Sequence, residues 1–307
     1  MIVRDALPTR VRVVEVGPRD GLQNEPAILP LETKQKFVMR LAEAGLPVIE
    51  AGAFVRPDRV PQMADTDELF HRLGAVRGPI LAALVPNLRG LKRALACGVR
   101  AVAVFTAASE AFARRNINMD IEHSLAVFRE VVAEAHAAGC RVRAYVSTAW
   151  WCPYSGSVGP DAVLRVAVPL RDMGCDEIAL GDTIGAATPL EVTSLIRRLT
   201  QDLPAGMLAV HFHDTRGTAL ANVLAALVCG VATVDASAGG LGGCPFAPGA
   251  SGNLATEDLL YMLHGMGIET GVDLDQVAAA SRALAPALGH PMPSRYLQAG
   301  PPRAVQG

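Results

Sequence analysis

A pair of histidines stands at the end of a short apolar run. The run Ala209–Thr215, which reads Ala-Val-His-Phe-His-Asp-Thr, begins with the residue types of a β-strand. Because successive side chains of a strand alternate between its two faces, His211 and His213 share one face. Two imidazoles on one face form half of a site for a divalent metal. A single histidine would more often be a hydrogen-bonded structural residue, so the pair favours metal binding.

Two other segments offer oxygen ligands. Arg19 and Asp20 follow a Gly-Pro turn at the end of the first candidate strand, where the aspartate could ligate a hard cation. The alternative is an Asp-Gly turn with a local ion pair. Asn253 could supply an amide oxygen, or it could cap a helix. Asp20, His211, His213 and Asn253 together would suit Mg²⁺ or Mn²⁺ with open positions for a chelating substrate.

The segment 239–253 concentrates glycine around one cysteine, Cys244. It contains six glycines and two prolines. Such a loop can bring its backbone close to a ligand or move over one. The thiol favours proton transfer or nucleophilic chemistry, and a phosphate-cradling loop with an incidental cysteine is the alternative.

Three further polar side chains fall near the ends of candidate strands. Glu50 ends the second strand and Asp182 follows the sixth. Either carboxylate could orient a ligand or simply offset the charge of Arg19. Tyr145 lies near the end of the fifth strand, and the pattern alone leaves open whether it faces substrate or core.

Eight short strand-like runs alternate with amphipathic helical stretches such as 34–44, 122–138 and 189–203. This alternation predicts a parallel sheet with right-handed crossovers, and eight units fit a (β/α)8 TIM barrel better than an open sheet. In such a barrel, chemistry belongs at the carboxyl ends of the strands, where the polar residues above fall. We expect one domain over 1–307, with a core of about 11–272 and C-terminal helices and a tail over 273–307. The candidate strands are Val11–Val16, Val48–Ala51, Ile80–Val85, Ala101–Phe105, Val142–Val146, Glu177–Leu180, Leu208–Phe212 and Val231–Ala236.

Composition narrows the partners. The 307 residues carry 28 Lys plus Arg against 30 Asp plus Glu, without long runs of either sign. Nucleic acid and anionic membranes are therefore unexpected partners. The six cysteines lack CxxC spacing, which favours a reducing compartment. The first residues resemble neither a signal nor a transit peptide, and no apolar run is long enough for a membrane span, so we expect a cytoplasmic location.

Four motifs together resemble 3-hydroxy-3-methylglutaryl-CoA lyases, which belong to a superfamily of barrel metallolyases. The motifs occupy residues 14–25, 180–185, 211–215 and 240–253, and the likeness runs from about Val11 to Val272. The resemblance implies a retro-Claisen cleavage of 3-hydroxy-3-methylglutaryl-CoA to acetyl-CoA and acetoacetate. It also implies a divalent cation, Mg²⁺ or Mn²⁺, an acyl-CoA thioester substrate and a homodimer.

The resemblance also implies roles for the residues. Asp20, His211, His213 and Asn253 would hold the metal. Arg19 would stabilise the enolate of the departing acetyl-CoA, and Cys244 would transfer a proton. Glu50 and Asp182 would line the site in catalytic positions, with Gln23 and Tyr145 on the substrate side.

The chain departs from the family pattern beside two strands. Gly52 and Ala53 stand where relatives usually carry hydroxyl residues, and Trp150 and Trp151 follow the fifth strand. The tryptophans could reshape an acyl pocket, or form an outer lid or a subunit contact. The same mechanism on another thioester, such as citramalyl-CoA, is therefore the first alternative. A condensing synthase and a non-catalytic binding barrel are the remaining ones.

Overall fold

A closed barrel of eight parallel strands organises the chain. The computed structural model describes residues 7–74, 76–243 and 252–301. The barrel order is β1-β10-β9-β8-β5-β4-β3-β2, and β6 and β7 form a separate antiparallel pair. The strands are β1 (Arg12–Glu15), β2 (Val48–Ala53), β3 (Ile80–Leu84), β4 (Ala101–Ala107), β5 (Arg141–Ser147), β6 (Trp151–Cys152), β7 (Gly156–Ser157), β8 (Glu177–Asp182), β9 (Leu208–Phe212) and β10 (Thr233–Ala236).

Helices cover the outside of the barrel, and each barrel strand is followed by at least one. Among the described residues, no helix is both long and apolar enough to cross a membrane. The helices are α1 (Leu31–Glu43), α2 (Thr66–Leu73), α3 (Leu88–Ala96), α4 (Glu110–Ile117), α5 (Ile121–Ala137), α6 (Pro160–Asp172), α7 (Pro189–Leu199), α8 (Ala219–Val228), α9 (Thr256–Gly265), α10 (Leu274–Leu288) and α11 (Arg295–Ala299).

The TIM-barrel prediction is confirmed, and each of the eight candidate strands overlaps a barrel strand. The helix ends differ more. The predicted stretch 189–203 stops being helical at Leu199, and the helix expected from Asn253 begins at Thr256 with Ala255 as its N-cap. Asn253 therefore does not cap this helix. It forms an isolated antiparallel bridge with His213 instead.

The inside of the barrel contains several charged side chains. Its small apolar cluster consists of Ala103, Tyr145, Ala179 and Ala209, whereas the large core lies between the strands and the helices. TIM-barrel interiors are generally filled by branched apolar side chains. Here the lower end of the barrel, where the amino-terminal ends of the strands lie, encloses a cavity. Arg12, Glu50, Arg143 and Glu177 line it among other residues.

The seam between the first and last strands is closed by a buried carboxylate. Residues 12–15 of β1 pair in register with residues 233–236 of β10. Glu15 accepts hydrogen bonds from the backbone amides of Gly17 and Ala238, both at 2.8 Å, and from Thr256 Oγ1 at 2.7 Å. Burial raises the pKa of Glu15 to about 7, although these hydrogen bonds oppose the shift.

A second buried carboxylate, Glu257, fixes the chain just beyond the seam. It accepts from the amide of Gly239 at 2.8 Å and from Ser281 Oγ at 2.5 Å. Burial raises the pKa of Glu257 to about 7, again against the effect of its hydrogen bonds. Glu257 thereby ties the turn after β10 to α10.

The raised pKa of Glu257 predicts a pH-dependent stability. The pKa of this carboxyl is 4.5 in the unfolded chain and about 7 in the folded protein, so the folded state binds more protons between these pH values. The contribution of Glu257 to the free energy of unfolding is therefore fully present below pH 4.5 and is lost as pH rises through 7. At about 1.4 kcal/mol per pKa unit, Glu257→Gln should flatten the fall between pH 5 and 8 by about 2 kcal/mol.

Urea unfolding at a series of pH values measures this slope, with exposed Glu130→Gln on α5 as the control. A Glu257→Gln protein with the wild-type pH slope would contradict the assignment.

Candidate active site

Three predicted metal ligands meet at the carboxyl ends of the strands. Asp20, His211 and His213 each offer one ligand atom, and these atoms lie within 4.8 Å of one another. Asp20 follows β1, while the histidines lie at the end of β9. Strand β10 lies between β1 and β9, so closure of the barrel brings residues that are almost 200 positions apart to one place.

Asp20 is presented by a π-helical turn, Gly17–Gly21. The amides of Asp20 and Gly21 both donate to the carbonyl oxygen of Val16, at 2.7 and 3.2 Å. Single π-helical turns often occur at functional sites. Only glycine fits at both ends of this turn without a steric clash. A Cβ on Gly17 would lie 2.6 Å from Glu15 Oε1, and one on Gly21 would lie 2.8 Å from Leu241 Cβ. The sequence alone allowed an ordinary Asp-Gly turn at this position. The structure has instead a π-helical turn.

The carboxylate of Asp20 is surrounded by donors. Its Oδ1 accepts from Arg19 Nη1 at 2.5 Å and from Gln23 Nε2 at 3.2 Å, and its Oδ2 accepts from Asn253 Nδ2 at 2.8 Å. The Nε2 atom of His211 is 3.9 Å from Oδ2. Burial alone would raise the pKa of Asp20, but Arg19 and the histidines lower it to about 2. Asp20 is therefore ionised at neutral pH.

Two buried polar atoms beside Asp20 lack partners among the described residues, Asn253 Oδ1 and His213 Nδ1. Asn253 Nδ2 also donates to Leu241 O at 3.1 Å, so the amide orientation is fixed and Oδ1 is the atom left over. Burial, and then the charge of His211, lower the pKa of His213 to about 4, which keeps its imidazole neutral. A buried polar atom without a partner costs about 1–3 kcal/mol. A cation held by Asp20 and the two histidines fits these donors, and Asn253 adjoins them through its Nδ2 atom, which faces the Asp20 carboxylate.

His211 has a second carboxylate on its other side. Its Nδ1 lies 3.2 Å from Oδ2 of Asp235, a fully buried residue of β10. Burial alone would lower the pKa of His211, but the hydrogen bond to Asp235 and the charge of Asp20 raise it overall. Sequence reasoning missed Asp235. An aspartate inside the apolar strand run 231–236 is the signal that could have revealed it.

Arg19 is held between Asp20 and Glu50. Its Nε donates to Glu50 Oε1, and Tyr145 Oη donates to Glu50 Oε2 at 3.1 Å. The guanidinium lies over the Tyr145 ring, with Cζ 5.6 Å from the ring centroid. Burial disfavours the charge, but Glu50 and Asp20 raise the pKa of Arg19 overall, so it stays cationic. Glu50, Tyr145 and Gln23 therefore lie with the cluster, and Glu50 offsets the charge of Arg19.

Asp182 is turned toward its own loop. Its two carboxylate oxygens accept from the backbone amides of Ala186 and Ala187, each at 3.0 Å. Burial raises its pKa to about 6, opposed by those hydrogen bonds. The described contacts show Asp182 shaping the loop between β8 and α7, and its catalytic role stays a prediction.

The two tryptophans pack away from the cluster. Trp150 is buried and its ring lies 5.4 Å from that of Phe212, whose side chain is on the face of β9 opposite to the histidines. Trp151 donates from Nε1 to Glu191 of α7 at 3.0 Å. These positions suit packing behind the barrel, and substrate contact by either residue stays a prediction.

Gly52 also faces outward. A Cβ there would lie 2.9 Å from Cγ2 of Thr66 on α2. The missing hydroxyl at this position therefore does not widen the barrel mouth. Cys244 lies outside the described residues.

The fold and the cluster define a class of protein: a (β/α)8 barrel with a candidate cation site, built from one carboxylate and two imidazoles, at the carboxyl ends of its strands. The model of the HMGL-like family matches residues 10–284. The chain belongs to this family, and the protein is a carbon–carbon lyase.

The similarity extends over nearly the whole chain. The hydroxymethylglutaryl-CoA lyase of Pseudomonas mevalonii is 53% identical over 279 residues, which cover 91% of this chain and 93% of that protein. The crystal structure of the Bacillus subtilis HMG-CoA lyase superposes with a TM-score of 0.94 at 45% identity, covering 95% of this chain and 98% of that one. An Acinetobacter baumannii HMG-CoA lyase in complex with coenzyme A and 3-methylmalate superposes with a TM-score of 0.92 at 36% identity, covering 100% and 99%.

Removing one imidazole should abolish the proposed cation site. With His213→Ala, we expect affinity for Mn²⁺ to fall at least a hundredfold, because one of three clustered ligands is lost. Isothermal titration calorimetry with Mn²⁺ measures this, and exposed His123→Ala on α5 is the matched control. Equal Mn²⁺ affinity in the wild type and His213→Ala would place the cation elsewhere.

Proposed function

We propose that the protein cleaves 3-hydroxy-3-methylglutaryl-CoA to acetyl-CoA and acetoacetate. The observation that carries the proposal is the cluster of Asp20, His211 and His213 beside the buried Arg19, in a chain of this family. The bond between C2 and C3 of the acyl chain breaks, and its electron pair passes to the enolate of acetyl-CoA. The C3 hydroxyl loses its proton to become the ketone of acetoacetate. The enolate carbon then takes up a proton, which completes acetyl-CoA.

Asp20, His211, His213 and Asn253 would hold the cation, for which we propose Mg²⁺ or Mn²⁺. The ionised carboxylate and the buried Oδ1 of Asn253 are oxygen donors of the kind these ions prefer. When bound, the cation supplies Lewis acidity toward oxygen atoms of the substrate.

Arg19 is placed to stabilise negative charge as it develops. Glu50 and Asp20 engage Nε and Nη1, and no described residue is found to accept from Nη2, which would be the donor to a thioester oxygen. Tyr145 and Glu50 hold the guanidinium in one orientation before the substrate arrives. A preorganised donor of this kind contributes about 3–4 kcal/mol to transition-state stabilisation.

Cys244 is proposed as the proton-transfer residue on sequence grounds. The described ends of its loop, Gly243 and Gly252, flank the site. A Cβ added to Gly242 would lie only 2.8 Å from Asn253 Nδ2, so the backbone packs closely against this side chain. The loop is therefore anchored at the proposed cation site. A homodimer and a cytoplasmic location complete the proposal and rest on the resemblance and on the cysteine pattern.

The substrate assignment is tested by measuring acetyl-CoA release from a series of thioesters. We expect hydroxymethylglutaryl-CoA to give the highest kcat/KM, because neither Gly52 nor the tryptophan pair is found reshaping the mouth. Citramalyl-CoA and a longer 3-hydroxyacyl-CoA serve as comparisons under the same metal concentration. Faster turnover of either comparison thioester would overturn the substrate assignment and leave the lyase class in place.

The role of Cys244 is tested separately. Cys244→Ser should lower kcat by about 10²–10⁴-fold, the usual contribution of a positioned acid or base, while Mn²⁺ affinity stays near the wild-type value. Cys229→Ser, which changes a half-buried free thiol beyond α8, is the control. Wild-type turnover in Cys244→Ser would remove this thiol from the mechanism.

A further inference from the structure

The metal ligand His211 is joined to a line of alternating charges inside the barrel. The line runs through Asp235, Arg143, Glu177 and Arg12, which come from β10, β5, β8 and β1. The line thus extends from the cluster of Asp20, His211 and His213 to the lower end of the barrel. The family resemblance assigned a role to none of these four residues.

Strand register creates two contacts of the line, and the other two cross the barrel interior between strands that are not neighbours. Parallel pairing places Asp235 directly beside His211 and Arg143 directly beside Glu177. Side chains that are paired in register lie on the same face of the sheet, which here is the inner one. The contacts are thus a property of the barrel itself, and they do not depend on loops.

Both carboxylate oxygens of Asp235 have hydrogen-bond partners. Oδ1 accepts from Arg143 Nη2 at 2.5 Å, and Oδ2 lies 3.2 Å from His211 Nδ1. Asp235 is 1% exposed, so water contributes little to its orientation. In the cation-bound protein, Nε2 on the side of Asp20 would have to present its lone pair, so Nδ1 would carry the proton and donate it to Asp235.

Arg143 also forms an ion pair at its other edge, without a hydrogen bond from Nε. Its Nε lies 3.1 Å from Glu177 Oε1, and Glu177 Oε2 accepts from Arg12 Nη2. The guanidinium also lies over the ring of Tyr145, with Cζ 4.9 Å from the centroid. Burying such charges costs more than filling the space with apolar side chains, so the arrangement favours a positioning function over a stabilising one.

We propose that Asp235 and Arg143 are positioning residues for the cation site: Asp235 fixes the tautomer and ring orientation of His211, and Arg143 fixes Asp235. This proposal rests on the proposed function, because it requires that His211 bind a cation. Carboxylates that hold metal-ligating histidines typically change metal affinity by 10–100-fold when they are replaced.

Asp235→Asn is the sharpest test because it keeps the size of the side chain. In this variant the amide oxygen would still accept the hydrogen bond from Arg143. The amide NH₂ would then face His211 Nδ1 and favour the opposite tautomer. We expect the Mn²⁺ dissociation constant to rise by 10–100-fold, measured by calorimetry with Mn²⁺ alone. ¹⁵N NMR of the wild-type protein with Mg²⁺ bound should show the proton of His211 on Nδ1, and a proton on Nε2 there would contradict the proposal.

Two variants of Arg143 keep the test decisive if Asp235→Asn does not fold. Arg143→Met should weaken Mn²⁺ binding about tenfold or more, and Arg143→Lys should restore part of it because it can still donate to Asp235. Asp176→Asn, a carboxylate that accepts from the Val142 amide at the lower end of the barrel, is the matched control and should bind Mn²⁺ like the wild type.

The outcomes separate the two proposals. If the wild type binds Mn²⁺ and cleaves the thioester while folded Asp235→Asn and Arg143→Met keep wild-type affinity, the positioning proposal is wrong and the proposed function stands. If the wild type itself binds no Mn²⁺, the proposed function fails first.

Discussion

The carboxylate of Asp20 is the point at which the separate parts of the site are joined. It binds Arg19 and Gln23 from its own turn and Asn253 from beyond the glycine-rich loop, and it faces His211 from β9. These groups come from both ends of the chain, so they meet only when β10 pairs with β1. The site is therefore complete only when the barrel is closed. Glu15 reinforces that closure by binding amides on both sides of the seam.

A polar barrel interior accompanies this arrangement. The inner positions that would hold branched apolar residues in many TIM barrels hold Arg12, Arg143, Glu177 and Asp235. Desolvation of these groups is costly, and the apolar core between strands and helices must offset it. In return, the cation ligands rest on side chains that are fixed by strand register. Preorganisation of this kind is what electrostatic catalysis requires, since donors that must reorient contribute less to the transition state.

Much of the site was predictable from local patterns. Eight apolar runs separated by helical stretches indicated the barrel, and period-two alternation put both histidines on one face. The neighbourhood of Asp20 followed from the adjacency of first and last strands in a closed barrel. These inferences needed only residue type and spacing.

Other features depend on contacts that spacing does not encode. In the π-helical turn at Asp20 three amides share one carbonyl oxygen, and a Gly-Pro-Arg-Asp-Gly sequence is equally compatible with an ordinary turn. Trp150 follows a barrel strand, yet it packs on Phe212, on the face of β9 opposite to the histidines. Asp235 sits in a strand whose inward face becomes evident only from its pairing with His211.

The proposed function requires Asp20, His211 and His213 to hold a divalent cation on a preformed scaffold. The most direct measurement is an anomalous difference map from crystals of the wild-type protein soaked in Mn²⁺. We predict a peak at bonding distance from the Asp20 carboxylate and from a ring nitrogen of each histidine, with the Asn253 side chain adjacent. Mn²⁺ bound elsewhere, or a peak that touches Asp20 without both histidines, would contradict it.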